Sequence, residues 1–325
     1  MAINAIRDAG YEIALSNMPR SLGPLIFVFT GTGNVSQGAQ ELFAHLPHEF
    51  VDVAALPKVA QKGLINKVYG CVVGRHDHLF TKDGKPFDEE SFLKYPETYI
   101  SKFATEIAPY ASVIINGIYW GIKTPRLITI PDAKYLLTPK SSKYDAPGCP
   151  TLPHRLIAIC DISADPGGSI EFMNECTTID KPFTIYDADM HRYSDSFDAP
   201  SGCLVCSIDN MPAQMPFEAT EQFGDLLFPY IIDMLNCATY LPFENLNCRE
   251  EIKRAIITDN GKLTPNFSYI EELRRQGKSA HKRPIVKPVD KRILLLGAGM
   301  VSGPFVSYFA RKEHISLTVC MSLLI

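Results

Sequence analysis

The stretch Leu25-Ile-Phe-Val-Phe-Thr-Gly31-Thr-Gly33-Asn-Val-Ser36-Gln-Gly38 decides the fold. Leu25 to Phe29 is a continuous apolar run of β-forming residues, as in a strand buried on both faces. The glycines behind it let the backbone turn tightly and approach a pyrophosphate, whose charge the N-terminus of the following helix meets. A helix over 35–46 and a second strand at Phe50-Val-Asp52 complete a βαβ unit. The third position of the dinucleotide fingerprint needs a small residue where helix and strand pack closely, and here it is Ser36 in place of glycine. Asp52 lies 21 residues beyond Gly31. A carboxylate at that place accepts hydrogen bonds from an adenosine ribose and repels a 2′-phosphate, which argues for NAD(H) over NADP(H).

Upstream, residues 1–20 place Ile3, Ile6, Ala9 and Ile13 at near-helical spacing before Pro19, predicting a connecting helix. Downstream, strand patterns at 68–73, 112–116, 156–161, 183–186 and 203–208 alternate with helical or loop stretches. The fold class is therefore α/β: a Rossmann-like, mostly parallel sheet with flanking helices over 21–212. Segments 74–98 and 138–153, rich in Pro, Lys, Asp and Gly, read as surface excursions with little core. A helical part over 213–280 follows. Within it, Phe223, Leu226, Leu227, Tyr230, Ile231, Met234 and Leu235 predict one long amphipathic helix between Met215 and Asn236, kinked at Pro229. One or two further helices are predicted over 249–277, and the basic stretch with Pro284 and Pro288 makes 281–291 a linker.

The pattern then restarts. Arg292-Ile-Leu-Leu-Leu296 reads as a strand, Gly297-Ala-Gly299-Met-Val-Ser-Gly303 as a second Gly-rich turn, Val301 to Arg311 as its helix and Ile315 to Val319 as another strand. A βαβ start of about 35 residues cannot cover both faces of a parallel sheet, so 292–325 is expected to be a truncated second Rossmann start. The chain is then expected to be a fragment, an alternative splice product or a mis-predicted gene model.

At 325 residues and 46% apolar content the chain has room for two ordinary domains. A net charge of −4 with scattered Lys and Arg argues against a nucleic-acid partner. No apolar run approaches the roughly 18 residues a membrane span needs. The first twenty residues hold Asp8, Glu12 and two arginines, unlike a signal or transit peptide. Nine cysteines, an odd number, include Cys71, Cys160 and Cys206 within strand-like runs, which suits reduced thiols in an intracellular compartment. Cys203-Leu-Val-Cys206 reads as buried strand cysteines, and His76-Asp-His78 as a solvated turn, so no metal is expected.

Two further groups sit just past strand ends, where open α/β sheets bind ligands. Asp161-Ile-Ser-Ala-Asp165-Pro-Gly167-Gly168 offers two carboxylates able to bond a ribose or orient a substrate ammonium. Ser207-Ile-Asp209-Asn-Met-Pro212 repeats the arrangement, with Asp209 alternatively a helix cap.

These groups, with Glu175-Cys-Thr-Thr-Ile-Asp180-Lys-Pro182, resemble the cofactor domain of the alanine dehydrogenase and pyridine nucleotide transhydrogenase superfamily. Phe29-Thr-Gly-Thr-Gly-Asn-Val-Ser36, Ile115-Asn-Gly-Ile-Tyr-Trp120, Thr124-Pro-Arg126 and Cys160-Asp-Ile-Ser-Ala-Asp165 are similar to lysine-ketoglutarate reductase over about residues 1–280. The final residues resemble the opening of the saccharopine dehydrogenase half of the bifunctional enzyme. The resemblance implies an oxidoreductase of lysine degradation, with lysine, 2-oxoglutarate and saccharopine as ligands. It also implies a homo-oligomeric full-length enzyme and a mitochondrial matrix location, the cytoplasm being the alternative.

By the same resemblance Gly31, Gly33, Asn34 and Val35 hold the pyrophosphate, and Asn116, Ile118 and Tyr119 flank the cofactor. Asp161, Ile162, Asn210 and Met211 face the nicotinamide, while Asp165 and Asp209 are the candidate catalytic carboxylates. The family's acid/base Lys and His belong to a preceding substrate domain that nothing here matches, so the chain alone is expected to bind cofactor and turn over slowly or not at all. The animal reductase implies NADP(H), against the NAD(H) argued from Asp52, and both stay open. A non-catalytic dinucleotide-binding module and an alanine dehydrogenase-like or opine-forming enzyme are the alternatives.

Overall fold

The computed structural model describes residues 2–140, 152–195, 198–238, 240–278, 291–296, 303–312 and 315–320. They fall into two compact units, Met1–Thr220 and Glu221–Ile325.

The first unit opens with α1 (Ala2–Ala14), β1 (Ile26–Thr30), α2 (Asn34–Phe43), β2 (His48–Phe50), α3 (Leu56–Lys62) and β3 (Val68–Val73). It continues through α4 (Arg75–His78), β4 (Leu79–Thr81), α5 (Glu89–Lys94), β5 (Tyr99–Ser101) and β6 (Val113–Asn116). Then come α6 (Ile130–Leu136), β7 (Ala158–Asp161), β8 (Thr184–Asp187), β9 (Arg192–Ser194) and β10 (Gly202–Cys206). Eight strands form one sheet in the order β2-β3-β1-β6-β7-β10-β8-β9. Every pairing from β2 to β10 is parallel, and β8 and β9 add antiparallel strands at one edge. The expected mostly parallel α/β sheet is present. Its core runs along the central strands through Ile26, Val28, Cys71, Val73, Ile114, Ile159, Cys203 and Val205, all buried.

One neighbour relation differs from the sequence reading. The strand hydrogen-bonded to β1 is β3, and β2 lies beyond it at the edge. Burial explains the order: β3 is six residues long and buried at five of them, whereas the three residues of β2 are all exposed. The longer apolar strand takes the covered central place. Gly70 makes room for this, since a Cβ there would lie 2.7 Å from the Phe50 ring and 2.8 Å from the Phe43 ring. Phe43 in turn packs its edge against Phe29 at 5.2 Å, fastening α2 to β1.

The segment 74–98, expected to hold little core, builds one with the strand that follows it. Leu79, Phe92 and Tyr99 are buried together with Phe87 packed on them, around the antiparallel β4–β5 pair. The aromatic residues scattered among its polar ones supply the apolar area that the composition hid.

In the second unit, α7 (Pro216–Leu235), which starts just before the boundary, is the expected long helix and contains Pro229. None of its residues is buried. There follow α8 (Glu250–Ala255), the hairpin of β11 (Thr258–Asp259) and β12 (Lys262–Leu263), and α9 (Tyr269–Lys278). Then β13 (Lys291–Leu296), α10 (Gly303–Ala310) and β14 (Ile315–Cys320) form the βαβ start read from the sequence, with β13 and β14 parallel. Residues 297–302 of the second Gly-rich turn, 281–290 of the linker and 141–151 of the 138–153 excursion lie outside the described residues.

Candidate dinucleotide-binding crevice

The chain leaves β1 toward β3 on one side and returns to β6 on the other, so the carboxyl ends of β1 and β6 enclose the crevice where such sheets hold ligands. The two glycines of the first turn have different tasks. Gly31 has φ of +86°, its N–H donates to the Val73 carbonyl at 2.9 Å, and a Cβ would sit 3.1 Å from the Gly117 oxygen. It is required by the fold itself. Gly33 is extended, with φ of −80°, and a Cβ there would meet nothing within 4 Å. The space before it is open to a ligand.

Gly33 is also the N-cap of α2, and the first helical bond runs from Gln37 N–H to the Gly33 carbonyl at 3.0 Å. The amides of Asn34, Val35 and Ser36 therefore precede the intrahelical ladder, as an anion cradle needs. Ser36 is buried, and a Cβ on Gly117 would lie 3.1 Å from Val35 Cγ1 and 3.4 Å from the Ser36 nitrogen. A small residue at position 36 is what this close approach demands.

A cavity of about 430 Å³ opens before the turn. Gly31, Gly33, Gly117, Ile118 and Tyr119 line it together with Gly74, Arg75, His76, Phe87 and Glu89. A second, more open cavity of about 690 Å³ is lined by Tyr119, Trp120, Ile122, Lys123, Asp165 and Pro166, among others.

Immediately beneath lies a closed polar layer. Thr30 Oγ1 donates to Asn116 Oδ1 at 2.6 Å, and Asn116 Nδ2 donates to Asp161 Oδ1 and to Ser169 Oγ, both at 2.8 Å. All four residues are buried. Burial pushes the Asp161 carboxyl up to about 6, against the opposing pull of the Asn116 hydrogen bond. Asn116 and Asp161 thus tie β1, β6 and β7 together by their side chains. Ile162 is half-buried, its N–H donating to the Asn116 carbonyl at 2.9 Å.

Asp165, Asp209 and Asn210 are exposed, and Met211 is half-buried. The Cys176 thiol donates to the Ala164 carbonyl at 3.0 Å. Its pKa is raised first by burial and then by the carboxylates of Asp209, Asp161 and Asp165, which places these groups in one neighbourhood. Thr177 and Ser207 hold that arrangement by exchanging side-chain to backbone bonds at 3.1 and 2.9 Å. Asp209, Asn210 and Met211 line neither cavity. Asp52 also lines neither, being exposed past the edge strand with β3 between it and β1.

Arg75, His76, Phe87 and Glu89 lie in the segment whose polar composition reads as surface excursion, yet they line the cavity. The discoverable signal was the full-length apolar run of β3, which makes Gly74 and Arg75 the residues that follow a central strand. His78 turns inward, buried against Ser101 Oγ at 2.9 Å and lowered to about 4 by that burial, while His76 stays outside. Cys203 and Cys206 stand on opposite faces of their strand, as an odd spacing requires. Cys203 is fully buried; the half-buried Cys206, in register with Cys160, has its pKa lowered by interaction with that thiol, whose own is raised.

The sheet order and the glycine-lined crevice at its switch point define a Rossmann-like α/β protein of the dinucleotide-binding class. No family model matches the chain. It is 52% identical over 319 residues, 98% of its length, to the mitochondrial alpha-aminoadipic semialdehyde synthase of Rattus norvegicus, covering 34% of that protein. The alpha-aminoadipic semialdehyde synthase of Arabidopsis thaliana is 36% identical over 83% of the chain, covering 25% of its own length. A saccharopine dehydrogenase [NAD(+), L-lysine-forming] of Emericella nidulans is 29% identical over 40% of the chain and 29% of its own length. The chain is similar over nearly its whole length to the mammalian alpha-aminoadipic semialdehyde synthases and spans about a third of the length of these relatives. Among the described residues no helix is long and apolar enough to cross a membrane.

Proposed function

We propose that this chain is the dinucleotide-binding part of a saccharopine-forming reductase. The observation that carries the reading is the open space before Gly33, at the switch point of the sheet, in a chain 52% identical to the synthase over 98% of its residues. In this reading Gly31, Gly33, Asn34 and Val35 cradle the pyrophosphate, with Ile118 and Tyr119 forming the wall against which the dinucleotide lies. A nicotinamide held there would supply hydride for reduction of an imine between lysine and 2-oxoglutarate. Asp165 and Asp209, both exposed carboxylates in the neighbourhood of Cys176, suit the orientation of a substrate ammonium. Asn116 and Asp161 act from beneath, fixing the strand ends that carry the crevice. The mitochondrial names of the mammalian relatives support the same compartment for the protein to which this chain belongs.

Fluorescence titration of the 325-residue chain with NADH and NADPH tests the binding. Saturable binding of at least one is expected. Gly33→Val should weaken it by about 100-fold or more, because the added methyls occupy space only a ligand would fill. Its thermal midpoint should stay close to the parent's. A folded parent chain that binds neither nucleotide overturns the reading. Nicotinamide oxidation dependent on both lysine and 2-oxoglutarate identifies the substrates, whereas dependence on another amino acid and oxo acid points to an alanine dehydrogenase-like or opine-forming enzyme.

A further inference from the structure

We propose that Arg75, with His76 beside it, reads the 2′-phosphate of NADP(H), and that this strand end sets the nucleotide preference instead of Asp52. The inference rests on the dinucleotide-binding reading above. In a Rossmann-like sheet the adenosine ribose lies over the end of the strand neighbouring the first, on the side away from the switch point. Here that strand is β3. Thr30 and Val73 are partners in register, and Gly31 N–H bonds the Val73 carbonyl, so the residues after Val73 stand one strand spacing, about 4.8 Å, from the glycine turn. They are Gly74, Arg75 and His76, and all three line the cavity with Gly31 and Gly33.

The carboxylate at this strand end is already committed. Asp77 accepts from the Gly74 N–H at 2.7 Å through Oδ2, while its Oδ1 lies 3.4 Å from His76 Nε2. Asp77 does not line the cavity. The acceptor that would bond a free ribose 2′-hydroxyl is thereby turned to the backbone, and Arg75 and His76 are the titratable residues of this strand end that line the site. Arg75 is half-buried and preset: its guanidinium lies 5.3 Å from the Phe92 ring centroid, and Nη1 meets Glu89 Oε1 at 3.0 Å. Glu89 also lines the cavity and is mostly exposed, and an ion pair of that kind is worth little. A phosphate, with more charge and room for a forked pair of hydrogen bonds, outcompetes it for the guanidinium. Asp52, by contrast, sits past β2, one strand further out.

The fungal relative named for NAD(+) is only 29% identical, over 40% of the chain, and does not decide the matter. The test compares dissociation constants for NADPH and NADH, and for 2′,5′-ADP and 5′-AMP, in the parent chain and in Arg75→Gln, Arg75→Lys and Glu89→Gln. The parent should prefer the 2′-phosphorylated member of each pair. Arg75→Gln should weaken that member about 10- to 100-fold while leaving NADH within about twofold. Arg75→Lys should restore part of the loss, and Glu89→Gln should leave the preference standing. A parent that prefers NADH, or an Arg75→Gln chain that loses both nucleotides equally or neither, overturns the assignment and leaves the dinucleotide reading intact. Failure of the folded parent to bind either nucleotide removes the underlying reading as well.

Discussion

The crevice before Gly33 and the polar layer beneath it occupy the same strand ends, a few ångströms apart, yet they spend their polar atoms in opposite ways. Thr30, Asn116, Asp161 and Ser169 are buried and satisfy one another. Around the crevice, the first amides of α2 lie outside the intrahelical ladder, and Arg75 and His76 line the cavity with an exposed carboxylate partner, Glu89, or a distant one, Asp77. A closed network rigidifies, and an open one binds. The difference explains why Asn116 and Asp161, which look like ligand-binding residues in sequence, are better understood as the floor on which the binding wall stands.

The largest effect should come from breaking the floor. Asn116→Leu strands the Thr30 hydroxyl, the Asp161 carboxyl and the Ser169 hydroxyl in a buried place, and should cost about 3–5 kcal/mol in denaturant unfolding. A loss below about 1 kcal/mol would show that the layer is not the structural element described here.

Asp161 offers a milder test. Its folded-state pKa of about 6 exceeds the ordinary 3.8, so its protonated form is the one the fold favours. That favourable contribution is complete below pH 4, fades as pH rises through about 6 and is absent above. Between the ordinary 3.8 and about 6 the difference amounts to about 3 kcal/mol. Asp161→Asn keeps an acceptor for Asn116 and carries no charge, so it should flatten the stability difference between pH 4 and pH 7 relative to the parent. Parallel pH profiles for the two chains would refute the buried, uncomfortable carboxylate.

The smallest effect is expected at the exposed edge. Asp52→Ala should change both nucleotide affinity and stability by no more than about 0.5 kcal/mol, since the side chain is exposed and outside the crevice. A large, selective loss of NADH affinity would return the ribose to Asp52 and displace Arg75.

Much of this was legible beforehand. Leu25 to Phe29 and the turn to Gly38 marked the first βα unit, and the strand patterns at 68–73, 112–116, 156–161 and 203–208 all lie within one sheet. Gly31, Gly33, Ile118 and Tyr119 come together at one cavity. What escaped the reading was lateral order. Phe50-Val-Asp52 follows the first helix in the chain, yet the strand there lies beyond β3 at the edge of the sheet. A periodicity reports which residues are apolar and says nothing of which strand lies beside which. The aromatic content of 74–98 was likewise visible, but its polar composition concealed the cluster formed by Leu79, Phe92 and Tyr99.

The sequence by itself determined the class of fold, the position of the glycine turn and the small residue that lets helix and strand approach, because each depends on local conformational freedom and on apolar patterning along the chain. Only the tertiary structure decided that β3 and not β2 adjoins β1, that Asp161 faces inward to Asn116, and that Arg75 lines the same cavity as Gly33. Those are long-range choices, made by burying the longest apolar strands at the centre of the sheet and leaving the short polar one at its edge.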